Sequence, residues 1–495
     1  MVVRPTRLLT ARPVLDMRPV GYVMGLLVSV LGVSMLLPMA LDLAAGNGEW
    51  HVFGQAAIVT GLAGGLTALA CANAMGPRLS IQQTFLLTTM VWLVLPLFGA
   101  VPFVLGATEA SFTDAYFEAM SGLTTTGATV FVGLDDLPPG LLMWRGLLQW
   151  FGGIGIIVVA MAFLPELRVG GMQIFRSEAF DTFGKILPRA GQIASRISVI
   201  YLAFTLACGL AYAAAGMEPL DATVHAMTTV ATGGFANYDA SFAAFSPAAQ
   251  YVAVTFMLLA ALPFVRYVQL TTGTARPLLV DPQVRGFFAA VLAVVAVIVA
   301  WRLLLTDARG EDAVRSTLFN VVSLITGTGY ASRDYMQWGT LPVAALFFVG
   351  LIGGCAGSTA CSIKVFRYQI LLSAVAAQIR QINQPHGVFQ PRYAGQILSE
   401  DVLSSVTSFF TLFVATLAVI AIGLGLLGLD FITAVSGAAA ALANIGPGLG
   451  PEIGPAGNFR GLSDPAKWLL SMAMLVGRLE LLTVYVLFTR RFWTT

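Results

Sequence analysis
The sequence predicts an all-α polytopic membrane protein. Four pseudo-symmetric units, each a span, a short re-entrant helix, a polar turn and a second span, follow an N-terminal pair of transmembrane helices. Three observations carry that prediction. Of 495 residues, 57% are apolar and only 11% charged, where charged residues make up about 25% of a soluble domain. Ten apolar runs reach the roughly 20 residues that a helix needs to cross a bilayer. Four Thr- and Gly-rich turns recur roughly every hundred residues, the mark of an internal repeat.

Taken in order, the apolar runs fall near 19–43, 53–75, 81–106, 141–164, 197–216, 248–270, 286–305, 341–377, 402–428 and 466–489. The first follows Arg4, Arg7, Arg12 and Arg18. It is longer than a signal-peptide core, so it reads as a retained span. The first two runs carry no polar turn, which sets residues 1–79 apart as a two-helix unit. The remainder divides into repeats at 80–195, 196–283, 284–399 and 400–495. Each repeat crosses an even number of times, so all four enter the membrane in one orientation, around an axis along its normal. Arg78, Arg168, Arg176, Lys185, Arg189, Arg196, Arg266, Arg276, Arg285, Lys364, Arg367, Arg380, Arg392, Arg490 and Arg491 fall on one side. The positive-inside bias makes that side, and both termini, cytoplasmic.

The turns are Ser121-Gly-Leu-Thr-Thr-Thr-Gly-Ala-Thr-Val130, Thr228-Thr-Val-Ala-Thr-Gly-Gly-Phe235, Ser323-Leu-Ile-Thr-Gly-Thr-Gly-Tyr330 and Ala443-Asn-Ile-Gly-Pro-Gly448. Polar backbone at membrane depth must line a water-filled path or be buried in protein. Convergence of the four at one axis would make an ion filter. Gly127, Gly233, Gly327 and Gly446 match one another in sequence. Glycine admits backbone angles that turn successive carbonyls toward a shared axis, where they replace an ion's hydration shell. The expected ion-binding residues are therefore Thr125, Thr126, Gly127, Ala231, Thr232, Gly233, Ile325, Thr326, Gly327, Asn444, Ile445 and Gly446, with hydroxyls from Thr126, Thr232 and Thr326. Asp114, Asp221, Asp312 and Asp430 stand at or near the start of the short helices, where an acid caps exposed amides.

Two further features break the apolar pattern. Gly353-Gly-Cys-Ala-Gly-Ser-Thr-Ala-Cys-Ser362 interrupts the second span of the third repeat. Such a sequence means a broken helix beside a cavity. Arg478 lies within the last span, two residues before Glu480. A cation there points to function, with a pair to Glu480 as the alternative. Cys71, Cys208, Cys355 and Cys361 show no metal-ligand spacing and read as buried thiols. Three histidines cannot build a metal site, and a net charge of +2 gives nucleic acid no purchase. Gly423-Leu-Gly-Leu-Leu-Gly428 fits a dinucleotide fingerprint but lies inside a span with no strand before it. No nucleophile–base constellation appears, so an enzyme is not expected.

Thr124–Thr129, Thr232–Phe235, Gly446–Gly450 with Gly457–Phe459, Gly353–Thr359 with Ile363 and Lys364, and Gly477–Glu480 carry a specific resemblance. The chain resembles the TrkH family, the membrane subunits of the bacterial Trk potassium-uptake system, within the Trk/Ktr/HKT superfamily of K+ transporters. The resemblance implies potassium uptake across the bacterial inner membrane through a filter at Gly127, Gly233, Gly327 and Gly446. Sodium-favouring plant members replace the first of these with Ser. It further implies an intramembrane gating loop at Gly353, Gly354, Gly357, Ser358, Thr359 and Lys364. Arg478 would be a pore arginine that repels K+ when the gate is shut. A homodimer and a TrkA-like cytoplasmic subunit that binds nucleotide are the implied partners, with K+ the transported ligand and no cofactor in this chain. The third turn, where an aromatic often separates the glycines, and Ala443-Asn444, where paired asparagines are common, depart from the family pattern. Coupled K+/H+ or K+/Na+ symport and a less selective Na+/K+ channel remain the alternatives.

Overall fold
The computed structural model describes residues 15–74, 79–162, 190–271, 273–306 and 308–494. Arg4, Arg7, Arg12, Arg78, Arg168, Arg176, Lys185 and Arg189, expected on the basic side, lie outside the described residues. Helices α1 (Arg18–Ser34) and α2 (Leu36–Ala45) form the first span and α3 (Trp50–Cys71) the second. The pair packs backbone to backbone: a Cβ on Gly25 would lie 2.5 Å from the Ala68 nitrogen, and one on Gly64 2.5 Å from the Ser29 nitrogen. Small residues permit this approach where lipid supplies no hydrophobic drive.

The first repeat holds α4 (Ile81–Gly99), α5 (Val101–Leu105), α6 (Phe112–Leu123) and α7 (Pro139–Ala162). Ser80 and Gln83 close a capping box that starts α4. Buried Asp42 of α2 accepts the Gly140 amide of α7 at 2.8 Å, which fastens the N-terminal pair to this repeat. The second repeat holds α8 (Ala190–Ala214), α9 (Pro219–Val230), α10 (Pro247–Ala260) and α11 (Phe264–Thr271). After α12 (Arg276–Val280), the third holds α13 (Pro282–Leu305), α14 (Gly310–Ile325), α15 (Thr340–Gly350) and α16 (Val365–Asn383). A two-strand ribbon, Arg392–Tyr393 with Gln396–Ile397, leads to the fourth. That repeat holds α17 (Glu400–Leu426), α18 (Phe431–Ala443), α19 (Gly450–Ile453), α20 (Asp464–Arg478) and α21 (Leu482–Tyr485).

Seven helices among the described residues are long and apolar enough to cross a membrane, and two bent pairs pass the same test together. The chain is a multi-pass membrane protein. Helices α6, α9, α14 and α18 have 12, 12, 16 and 13 residues. At 1.5 Å per residue they fall short of a hydrocarbon core about 30 Å thick. Their last two turns are buried throughout, so they stop inside protein.

The sequence places one break, in the second span of the third repeat; the described residues show two more. Helix α10 turns through 88° into α11, and α20 through 105° into α21. The first bend follows from Pro263, which cannot donate to the α10 ladder. The carbonyls of Ala260 and Ala261 are left unpaired by the helix. Amides of the glycine-rich segment fill them: Cys355 donates to Ala261 at 2.9 Å and Thr359 to Ala260 at 3.3 Å. The Phe264 amide returns the contact to Gly357 O at 2.9 Å. Bend and loop thus satisfy each other's backbone at membrane depth. The second bend has no proline or glycine at its corner. Glu480 and Leu481 take φ of +62° and +48° there, which no local sequence signal announces.

Candidate functional site
Backbone hydrogen bonds fix how the four turns correspond. The amides of Thr126, Gly233, Thr328 and Ile445 each donate to the carbonyl five residues earlier, at 2.8, 2.8, 2.8 and 2.9 Å. The residue before each has positive φ: Thr125 +51°, Thr232 +51°, Gly327 +72° and Asn444 +52°. So does the residue after: Gly127 +85°, Gly234 +81°, Gly329 +83° and Gly446 +101°. The matched glycines are therefore Gly127, Gly234, Gly329 and Gly446. Matching Gly233 and Gly327 to Gly127 is off by one residue and by two. The second and third turns carry two glycines each, and sequence alone cannot say which of them needs the left-handed angle.

With this register the turns close into a ring. A Cβ on Gly127 would collide with the Gly233 carbonyl oxygen, one on Gly234 with that of Thr328, one on Gly329 with that of Ile445, and one on Gly446 with that of Thr126. Each glycine faces the next repeat's carbonyl, and the fourth returns to the first. Above the ring, on the side where the short helices begin, a cavity of about 190 Å³ is lined by all four matched glycines, with Asp239, Asn458 and Arg145 at its walls. Below it, a cavity of about 40 Å³ is lined by the glycine-rich loop, Asn444, Arg478 and Glu480. The short helices end at the ring, so their negative ends favour a cation there. Among the expected residues, Ala231 and Thr326 cap their helices and Ile325 is the last residue of α14. None of the three is in the ring.

Side chains brace the ring in two ways. In the first turn the hydroxyls of Thr124 and Thr126 meet at 2.7 Å, and in the third those of Thr326 and Thr328 at 2.8 Å. The second turn has Ala231 and Gly233 at those places, and the fourth Ala443 and Ile445. There amides substitute. Gln149 of α7 donates to Gly233 O at 2.5 Å and accepts the Phe235 amide at 3.0 Å. Asn444 donates to Thr126 Oγ1 and Met474 O, both at 2.9 Å. Behind the first two turns, buried Glu118 and Arg145 pair at 2.9 Å. Glu118 accepts the Thr129 hydroxyl and the Val130 amide, and Arg145 donates to Ala236 O at 2.7 Å. Sequence reading passed over Arg145 and Gln149, although polar residues inside a span are themselves a signal. The hydroxyls of Thr126, Thr232 and Thr326 are all engaged by protein.

Below the ring, Cys361 N donates to Thr326 O at 3.4 Å and the thiol lies 3.4 Å from Thr125 Oγ1. Arg478 donates to Cys361 Sγ at 2.8 Å and to Gly152 O at 3.2 Å. The expected alternative pair of Arg478 with Glu480 is not formed; Glu480 pairs with Arg367 of α16. Within the loop, Gly353 N donates to Ile363 O, Gly354 O accepts the Val365 amide, and Ser358 Oγ donates to Cys355 O. Lys364 Nζ donates to Ala360 O.

Of the four helix-start acids, Asp430 alone caps a short helix with its own side chain, accepting from Ile432 and Thr433. The others sit in the first turn and bind neighbours. Asp114 pairs with Lys467, Asp221 accepts from Asn237 and Tyr238, and Asp312 pairs with Arg315 and Arg333. No group of three or more His, Cys, Asp or Glu is placed to hold a metal ion among the described residues.

Known proteins share this architecture. Residues 51–494 match the family model TrkH, described as a cation transport protein. The Trk system potassium uptake protein TrkI of Halomonas elongata is 45% identical over 480 residues, 96% of each chain. The TrkH protein of Vibrio parahaemolyticus is 37% identical over 491 residues, 97% of this chain and 100% of that one. The crystal structure of the potassium transporter TrkH from Vibrio parahaemolyticus superposes with a TM-score of 0.89 at 34% identity, covering 97% of this chain and 100% of that one. The chain belongs to the TrkH family of cation transport proteins and is not an enzyme.

Proposed function
We propose that this protein takes up potassium through the ring formed by the four turns. One observation carries the reading: four backbone carbonyls, of Thr126, Gly233, Thr328 and Ile445, close a circuit between an upper and a lower cavity. Fixed carbonyl dipoles replace water around an alkali cation. Thr125, Thr126, Gly127, Thr232, Gly233, Gly234, Gly327, Thr328, Gly329, Asn444, Ile445 and Gly446 form the filter. The reading divides the chain into residues 1–79, the N-terminal helix pair, and repeats at 80–195, 196–283, 284–399 and 400–495, each contributing one turn. The loop from Gly353 to Lys364, with Gly354, Gly357, Ser358 and Thr359, is the gate below the filter. Arg478 places a cation against that loop and repels K+ while the gate is shut.

The names of the relatives support potassium as cargo and a Trk system as context. In that context a TrkA-like cytoplasmic subunit that binds nucleotide governs the gate, and the chain works as a homodimer. The basic side faces the cytoplasm of a bacterial inner membrane, with both termini there. Coupled symport is the weaker reading, because Glu480, the acid at the lower cavity, is engaged by Arg367. Purified protein in liposomes tests the proposal. Potassium influx down its gradient, exceeding sodium influx and independent of any second ion gradient, is expected. No cation flux, with or without the nucleotide-binding subunit, overturns it.

A further inference from the structure
Resting on that reading, we infer that Gln149 is a positioning residue for ion discrimination, setting the direction of the Gly233 carbonyl from a neighbouring repeat. Gln149 is buried in α7 of the first repeat and reaches the turn of the second. Its amide nitrogen donates to Gly233 O at 2.5 Å and its oxygen accepts the Phe235 amide at 3.0 Å. The two bonds straddle Gly234, whose φ of +81° permits the turn. They hold the peptide groups on both sides of it in one orientation.

The second turn needs this clamp because it lacks the strut found in the first and third. Ala231 and Gly233 stand where Thr124 and Thr126, and Thr326 and Thr328, join hydroxyls. The space is already taken: a Cβ on Gly233 would collide with the carboxamide of Gln149. Gly233 has no positive φ, so a backbone angle does not explain its glycine. Room for Gln149 does. The same carbonyl is the one Gly127 faces in the adjacent repeat, so any rotation of it is felt by the first turn as well. A carbonyl oxygen has two lone pairs; the donor occupies one and leaves the other for an ion.

Gln149→Glu separates this role from packing. The carboxylate keeps the length and can still accept the Phe235 amide, but in its ionised form it cannot donate to Gly233 O. Gln149→Leu removes both bonds. In proteoliposomes, the potassium-to-sodium flux ratio is expected to fall roughly three- to tenfold in both variants, the weight of one buried hydrogen bond. Gly233→Ala is expected to lower the ratio alone, and to add little to the fall caused by Gln149→Ala, which vacates the space. Unchanged ratios in correctly folded Gln149→Glu and Gln149→Leu proteins overturn the inference. If the wild-type chain conducts no ion, the transport reading fails separately. A structure of Gln149→Glu then decides this one: a Gly233 carbonyl rotated off the ring supports it, and an unmoved carbonyl overturns it.

Discussion
The turns of the first and third repeats hold themselves, whereas those of the second and fourth rely on amides. In the first pair the strut is local, two threonines two residues apart on one turn. In the second pair Gln149 reaches in from the first repeat, and Asn444 reaches out to Thr126 of the first turn. The backbone follows a four-fold pattern while the side chains follow a two-fold one. A single chain can do this because each repeat's sequence varies independently, as four identical subunits cannot. The first and third positions of the ring are thus alike, while the second and fourth lack the strut and are braced by different amides.

The register is the first place to break that comparison, and the largest effect is expected there. Gly329→Ala would force a Cβ onto the Ile445 carbonyl oxygen at φ +83°. The left-handed angle alone costs about 1–2 kcal/mol, and the collision displaces a ring oxygen. Near-complete loss of potassium flux is expected, with the same result for Gly234→Ala. Gly327→Ala, matched to Gly127 by sequence alone, faces Cys361 below the ring rather than a ring carbonyl. It is expected to disturb the glycine-rich loop and to lower the potassium-to-sodium ratio less than the other two. Flux and ion-ratio measurements on the three variants check the order, and equal loss of selectivity in all three would restore the sequence match.

A second comparison sets the buried Glu118–Arg145 pair against the struts. Glu118 and Arg145 tie the first turn to the second, an unlike pair, from inside the protein. Glu118→Ala leaves a buried guanidinium without its carboxylate, and such a loss costs about 3–5 kcal/mol. Thr328→Val removes one strut bond, worth about 1 kcal/mol. Thermal unfolding in detergent should show a much larger drop for the first. Comparable drops would mean that the hydroxyl pair bears more of the ring than its geometry implies.

The fold was legible because its signals are long: nine of the ten apolar runs fall on seven spanning helices and two bent pairs among the described residues, and the tenth, 341–377, on two helices either side of the glycine-rich loop. Pro263 is readable too, as a proline inside a span. The bend at Glu480 and Leu481 was not readable, because tertiary contact between Glu480 and Arg367, rather than local preference, accompanies it. In the site, the four turns could be found but not aligned. Gly233-Gly234 and Gly327-Thr-Gly329 each offer two candidates, and the choice is made by hydrogen bonds to carbonyls five residues back. Gln149 and Arg145 lay in plain sight within an apolar run, but the second-turn carbonyls they reach, of Gly233 and Ala236, stand 84 and 91 residues away in sequence.

The smallest effect separates helix ends that look alike in sequence. Asp430 caps α18 through two amides and is mostly open to water, whereas Asp221 of α9 is buried and binds Asn237 and Tyr238 beyond its turn. Replacing an N-cap acid by alanine costs about 0.5–2 kcal/mol. Asp430→Ala should therefore lower thermal stability modestly and leave the ion ratio unchanged, because its side chain's hydrogen-bond partners among the described residues lie in the first turn of its own helix. Asp221→Ala strands two donors that pin the chain just above the second turn, so it should lower stability further and reduce the ratio as well. If Asp430→Ala alters selectivity as strongly as Asp221→Ala, the four acids share one role, and the difference in their partners carries no functional weight.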